Sequence, residues 1–233
     1  MSIAENVARV RDRINEAAAK AGRDGAEVLL VAATKQNDAD RVREAILAGV
    51  DICGENRVQE MLEKLDAGAY TGAPLHLIGH LQKNKVKQVI GKADMIESAD
   101  SIELVRLIDR RARELGIVQD ILAEVNIGRE PSKTGMMPEM LDDFMAQVSE
   151  LGHIRVRGLM AIPPAGLSEA DSRRSFAAMR RLFIDIKTKK YNNGIMDFLS
   201  MGMSADFEAA IAEGSNMVRV GTAIFGARDY SKQ

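Results

Sequence analysis

A chain of 233 residues can bury a full core and sits near the upper end of a single domain. Its 46% hydrophobic and 28% charged residues are an ordinary globular balance, and a net charge of −2 excludes the basic footprint of a nucleic-acid or anionic-membrane binder. One cysteine, Cys53, excludes an intrachain disulfide framework and fits a reducing compartment.

Met1 to Ala21 is charged and periodic rather than a secretory apolar core, and no run elsewhere is long enough to span a bilayer. Ser2 and Glu5 form a capping box ahead of Ile3, Val7, Val10, Ile14 and Ala17 at helical spacing, stopped by Gly22. Val28 to Ala33 is a short continuous apolar run, as in a strand covered on both faces. Asn37 and Asp38 cap a helix with Val42, Ala45 and Ile46, closed by Gly49. A strand over Asp51–Gly54, a helix over Glu55–Leu65 and a strand over Leu75–Gly79 follow.

A helix from about Asn84 to Ile90 precedes the strand Met95–Glu97. Asp100 and Glu103 read as a second capping box, before Leu104, Ile108, Ala112 and Leu115, with Gly116 as terminator. Ile121–Asn126 is a strand, and Pro138 suits the first turn of a helix carrying Leu141, Phe144, Val148 and Leu151. The strand Val156–Ile162 ends at Pro163 and Pro164. A long helix with Phe176, Met179, Phe183 and Ile186 stops at Asn192-Asn193-Gly194. Phe198–Met201 and Val218–Val220 are the last strands, separated by a helix over Ala205–Ala212.

About eight strands alternating with helices, after one extra N-terminal helix, predict a single α/β domain over residues 1–233. Doubly covered strands imply a parallel sheet, and the count favours closure into a (β/α)8 TIM-type barrel over an open sheet. A dinucleotide-binding domain would carry glycines after its first strand, where this chain has Thr34-Lys35-Gln36-Asn37.

Barrel chemistry sits at the C-terminal ends of the strands. Lys35 ends an apolar strand, where desolvation disfavours the ammonium and suits an imine-forming amine. Position alone favours the plainer reading, a strand-end lysine that snorkels to solvent. Ser200-Met201-Gly202-Met203-Ser204 and Arg219-Val220-Gly221-Thr222 follow the last two strands, where barrels often bind phosphate. Ser204 also stands where a helix N-cap belongs. His76 and His80 flank a strand, where their spacing does not make a metal pair, and no metal is expected. Lys83, Lys85 and Lys87 read as a solvated helix start, and Lys133 lies on a Gly/Pro/Ser loop. Most of the thirteen methionines are expected in the core.

Seven segments together resemble the pyridoxal phosphate homeostasis proteins (the YggS or proline-synthetase co-transcribed type). They are Leu30-Val-Ala-Ala-Thr-Lys35, Gly54-Glu-Asn-Arg-Val-Gln-Glu60, His76-Leu-Ile-Gly-His-Leu-Gln-Lys-Asn-Lys85, Asn126-Ile-Gly-Arg-Glu-Pro-Ser-Lys-Thr-Gly135, Gly158-Leu-Met-Ala-Ile162, Ser200-Met-Gly-Met-Ser204 and Arg219-Val-Gly-Thr-Ala-Ile-Phe-Gly226, in family order over nearly the whole chain. The resemblance implies a fold-type III barrel, like the N-terminal domain of alanine racemase, holding pyridoxal 5′-phosphate (PLP) at its mouth.

On that resemblance, Lys35 forms a covalent imine with PLP. Ser200, Gly202, Met203 and Ser204, with Gly221 and Thr222, hold the phosphate. Asn56 lies close to the ring, and Arg219 faces either the pyridine nitrogen or the phosphate. One departure is clear: the family usually reads Ser-Lys-Thr-Lys-Pro at the lysine, whereas this chain has Thr34-Lys35-Gln36-Asn37-Asp38.

The resemblance implies a non-catalytic PLP carrier with apo PLP-dependent enzymes as partners; composition, charge and the lack of a signal or spanning run predict a cytoplasmic chain with no nucleic-acid or membrane partner, and a monomer is expected. The alternative is a PLP-dependent amino-acid racemase. That chemistry needs a second base, and Tyr70, Tyr191 and Tyr230 all fall outside the pocket segments. A Schiff-base aldolase would need a carboxylate beside Lys35, for which Glu55 is the nearby candidate.

Overall fold

The computed structural model describes residues 1–226 apart from residue 165. Within them, eight parallel strands close into a barrel in sequence order, with β8 returning to β1. The elements in chain order are α1 (Ile3–Lys20), β1 (Leu29–Ala33), α2 (Ala39–Leu47), β2 (Ile52–Glu55), α3 (Val58–Asp66), β3 (Leu75–Leu77), α4 (Val86–Val89) and β4 (Met95–Ala99). They continue as α5 (Ile102–Leu115), β5 (Gln119–Glu124), α6 (Leu141–Val148), β6 (Ile154–Met160), α7 (Glu169–Lys189), β7 (Gly194–Met203), α8 (Phe207–Ala212), β8 (Met217–Val220) and α9 (Thr222–Phe225). Registers such as Val31↔Arg219 and Val31↔Ile52 close the ring, so the open-sheet alternative does not apply.

Alternation along each strand divides the core into two layers. Val31, Ala33, Ile52, Ile78, Met95, Leu122, Met160 and Met217 fill the barrel interior. Cys53, Leu77, Ile96, Ile121, Ala123 and Leu159 face the helices instead. Cys53 is buried there, and desolvation with the neighbouring Glu55 pushes its thiol up to about 12, so it behaves as packing.

The extra N-terminal helix has its capping box: Ser2 Oγ accepts from the Glu5 amide while Glu5 receives the Ser2 amide. Its apolar stripe packs on α8 and α9 together with Phe207, Ile211, Val220 and Ile224. Asn6 is buried there, its Nδ2 donating to the Ile224 carbonyl at 2.8 Å. The helix therefore braces the short turn carrying Gly221 and Thr222.

Several boundaries differ from those the sequence predicts, and three of them matter most here. Asp100 does not cap α5; Ser101 is the cap residue without a side-chain bond, because Asp100 is engaged by Ser101 Oγ and by His80 at 3.2 Å. Glu55 ends β2 rather than starting a helix, and α3 begins at Val58. The seventh strand runs ten residues, Gly194–Met203, and α8 starts at Phe207, so Ser204 is not its cap. Gly202 makes this turn feasible: its φ is +94°, and a Cβ there would stand 2.6 Å from Ala210 Cβ and 2.9 Å from Phe207 Cα.

Candidate functional site

The C-terminal end of the barrel gathers most of the residues singled out in the sequence. Lys35 sits in the turn after β1, half-buried, two positions beyond the interior residue Ala33. Its neighbours fix the turn from outside the barrel wall. Thr34 Oγ1 donates to Glu55 Oε1 at 2.5 Å, and Lys64 Nζ donates to the Thr34 carbonyl at 2.8 Å. The Gln36 amide, at φ 60°, donates to Glu60 Oε2 at 2.8 Å.

Glu55 is fully buried in this outer cluster, accepting also from Lys64 Nζ at 2.6 Å and Tyr70 Oη at 3.0 Å. Burial and the Glu55 charge push the Tyr70 phenol far above its ordinary range, so it stays protonated. Glu55 thus anchors a structural cluster behind the wall, with its Oε1 taken up by Thr34, Lys64 and Tyr70. Tyr70 belongs to the same outer cluster, and Tyr191 bonds Asp142 on the surface. Tyr230 lies outside the described residues.

Asn56 follows β2, the strand beside β1. Its Oδ1 is buried with no hydrogen-bond partner. The loop after β3 presses on it: a Cβ on Gly79 would lie 2.2 Å from the Asn56 carbonyl oxygen, so only glycine permits this approach. Ser98 Oγ holds that loop through the Gly79 carbonyl at 2.7 Å. An orphaned acceptor at a barrel mouth is the kind of group a ligand satisfies.

The two C-terminal turns do come together. Ser204 Oγ accepts from the amide of Gly221 at 3.2 Å and of Ala223 at 3.5 Å, and Thr222 beside them is exposed. Ser204, Gly221 and Thr222 thus bring two hydroxyls and the backbone N–H groups of this turn side by side. The other grouped residues have different duties. The Met203 amide donates to Asp206 Oδ1 at 2.6 Å and its side chain stands on the rim, while Gly202 is buried as the turn itself.

Ser200 is the clearest departure. It faces inward and is fully buried, its hydroxyl donating to Glu97 Oε2 at 2.6 Å and accepting from Arg219 Nη1 at 2.5 Å. Alternation along β7 turns it into the barrel, away from the turn holding Ser204. Arg219 is likewise buried, and its Nη2 donates to the Ala161 carbonyl after β6 at 2.9 Å. The guanidinium therefore crosses the interior from β8 toward β6 and β7.

Glu124, at the end of β5, escaped the sequence reading. Its Oε1 accepts from Thr134 at 2.6 Å and its Oε2 is buried without a partner. Burial pushes this carboxyl above its ordinary range, with Asp100 adding to the effect and Thr134 opposing it. The Asn126–Gly135 loop is closed by Asn126, whose Nδ2 donates to the Glu130 carbonyl at 2.8 Å; Lys133 on it is exposed. His76 and His80 part company: His76 Nδ1 meets Glu97 at 2.8 Å inside the barrel, and His80 pairs with Asp100 at the mouth. No helix among the described residues is long and apolar enough to cross a membrane.

Comparison with known proteins places this geometry among relatives. The family described as "Alanine racemase, N-terminal domain" matches residues 3–229. A "Pyridoxal phosphate homeostasis protein" of Escherichia coli (strain K12) is 44% identical over 236 residues, covering 99% of both chains. A protein of the same name from Aquifex aeolicus is 42% identical, over 99% of this chain and all of the other. The structure of PipY from Synechococcus elongatus PCC7942 with PLP bound superposes with a TM-score of 0.84 at 34% identity, covering 97% of this chain and 100% of that one.

Proposed function

This chain belongs to the pyridoxal phosphate homeostasis family, on the fold of the alanine racemase N-terminal domain, and from that premise we propose that it binds PLP at the barrel mouth through a Schiff base on Lys35 and holds it without turnover. The observation that carries the reading is Asn56 Oδ1, buried and unpartnered on the strand next to that of Lys35. A bound ring edge gives that oxygen a donor or an ordered water.

Each residue then has a duty. Lys35 supplies the amine, and its turn is fixed from behind by Thr34, Glu55 and Lys64. Ser204, Gly221 and Thr222 receive the phosphate with hydroxyl and backbone donors. The direction of Arg219, toward Ala161 and Ser200, supports placing it against the pyridine nitrogen rather than the phosphate. PLP itself supplies an electrophilic aldehyde and an electron-withdrawing ring. A permanent cation beside the ring nitrogen disfavours its protonation and weakens that withdrawal, which suits storage better than turnover.

On this reading the chain is a cytoplasmic, monomeric single-domain carrier that keeps a reactive aldehyde masked and delivers it to apo PLP-dependent enzymes. The test is exchange of amino-acid α-protons in deuterated water by the PLP-loaded protein. A carrier leaves the proton in place; exchange at enzymatic rates would establish a racemase-type activity instead.

A further inference from the structure

The barrel interior contains a run of four side chains that starts near its N-terminal end and finishes at Arg219. His76 Nδ1 is 2.8 Å from Glu97 Oε1, Ser200 Oγ is 2.6 Å from Glu97 Oε2, and Arg219 Nη1 is 2.5 Å from Ser200 Oγ. All four are buried, with exposures of 4% or less. Arg219 and the Glu97 carboxylate are 3.9 Å apart, so Ser200 links them.

The directions of the protons follow from Glu97. Burial alone would raise its carboxyl, but His76, Arg219 and Ser200 reverse this and hold it below the ordinary carboxylate range. As an anion it only accepts. His76 therefore carries its proton on Nδ1, Ser200 donates its hydroxyl proton, and the Ser200 oxygen keeps a lone pair for Arg219. Every proton in the run points toward Glu97. The ring of His76 also lines a cavity of about 310 Å³ at the opposite end of the barrel, beside Asp51, Asp94, Asp120 and Arg157. Glu124 and Asp206 are the other carboxylates within electrostatic reach of Arg219.

We infer that Glu97 is the counter-charge that positions Arg219 toward the bound ligand, with Ser200 as the linking hydroxyl and His76 as the brace from the end opposite the mouth. This rests on the PLP reading above. None of the three touches the ligand; they are positioning residues. A buried cation stays where its counter-ion holds it, and hydrogen bonds in a low-dielectric interior polarise one another along the run. The field that Arg219 exerts at the ring nitrogen is then set from β4 and β3, not from the mouth.

The test uses PLP-loaded wild type, Ser200→Ala, Glu97→Gln, His76→Gln, Arg219→Lys and the Ser200→Ala/Arg219→Lys double variant. The visible band is followed against pH, and PLP affinity is titrated. Ser200→Ala is expected to move the pH midpoint of the band and to weaken PLP roughly tenfold, the scale of one hydrogen bond to a charged group. Glu97→Gln and His76→Gln shift the midpoint in the same direction. In the Arg219→Lys background, Ser200→Ala adds little, because its effect acts through Arg219. Where Glu97→Gln does not fold, the Ser200/Arg219 cycle decides. An unchanged midpoint in Ser200→Ala, or effects that add independently of Arg219→Lys, overturns the inference. A yellow wild type with such variants defeats this inference alone, whereas a wild type that takes up no PLP defeats the functional reading with it.

Discussion

Two buried carboxylates of the barrel respond to pH in opposite senses. Glu97, held below its ordinary range by its three partners, contributes stability above the unfolded carboxylate value of 4.5 that is lost as pH falls through its lower folded value. Glu124 is raised by burial, so its contribution is complete below 4.5 and disappears as pH rises through its higher folded value. Glu124→Gln removes that cost. Thermal melts across pH should show this variant above wild type at neutral pH, with the gap closing as the solution is acidified; a gap that persists in acid would contradict the assignment. The Glu55 cluster gives a second residue-scale expectation. Lys64→Met strands a fully buried carboxylate and should cost about 3–5 kcal/mol by denaturant titration. Tyr70→Phe removes one of several bonds to the same oxygen and should cost about 1 kcal/mol.

Among the elements, the junction of β7 and α8 carries the greatest consequence for binding. Gly202→Ala forces a side chain into positive φ and against Ala210 and Phe207, at about 2–4 kcal/mol. The displacement also moves Ser204 off the amides of Gly221 and Ala223, so PLP titration should show weaker binding in parallel with the stability loss. This junction was only half legible in the sequence. The apolar second half of β7, from Phe198, reads as a strand, but Gly194 to Asp197 does not, because Ile195 and Asp197 are exposed and Asp197 pairs with Arg157 on the outer surface. The short α9 was missed because a four-residue turn leaves no periodicity to detect. The strands β1 and β5 were plain because they are buried almost throughout, which is what a continuous run of Leu, Val, Ile and Ala encodes. Lys35, Asn56, Ser204, Gly221 and Thr222 stand out through their motifs, and the structure brings all five to the C-terminal ends of the strands. The inward orientation of Ser200 is not legible locally, because its partner Glu97 lies 103 residues away and no local spacing reveals which way the strand turns it.

At the scale of the whole molecule, a closed parallel barrel sets an apolar interior around a few buried charges and leaves one end for a ligand. A ligand that binds the folded state alone stabilises it by mass action, by about 2.7 kcal/mol at a hundred times its Kd. Melting with and without PLP should show an upward shift that grows with PLP concentration, and the shift should shrink in Asn56→Ala. The most direct test of the central claim is to reduce the PLP-loaded protein with borohydride and map the modified peptide by mass spectrometry. The pyridoxyl group should lie on Lys35, and Lys35→Ala should be colourless and unlabelled; a label carried by another lysine, or none at all, would contradict the account.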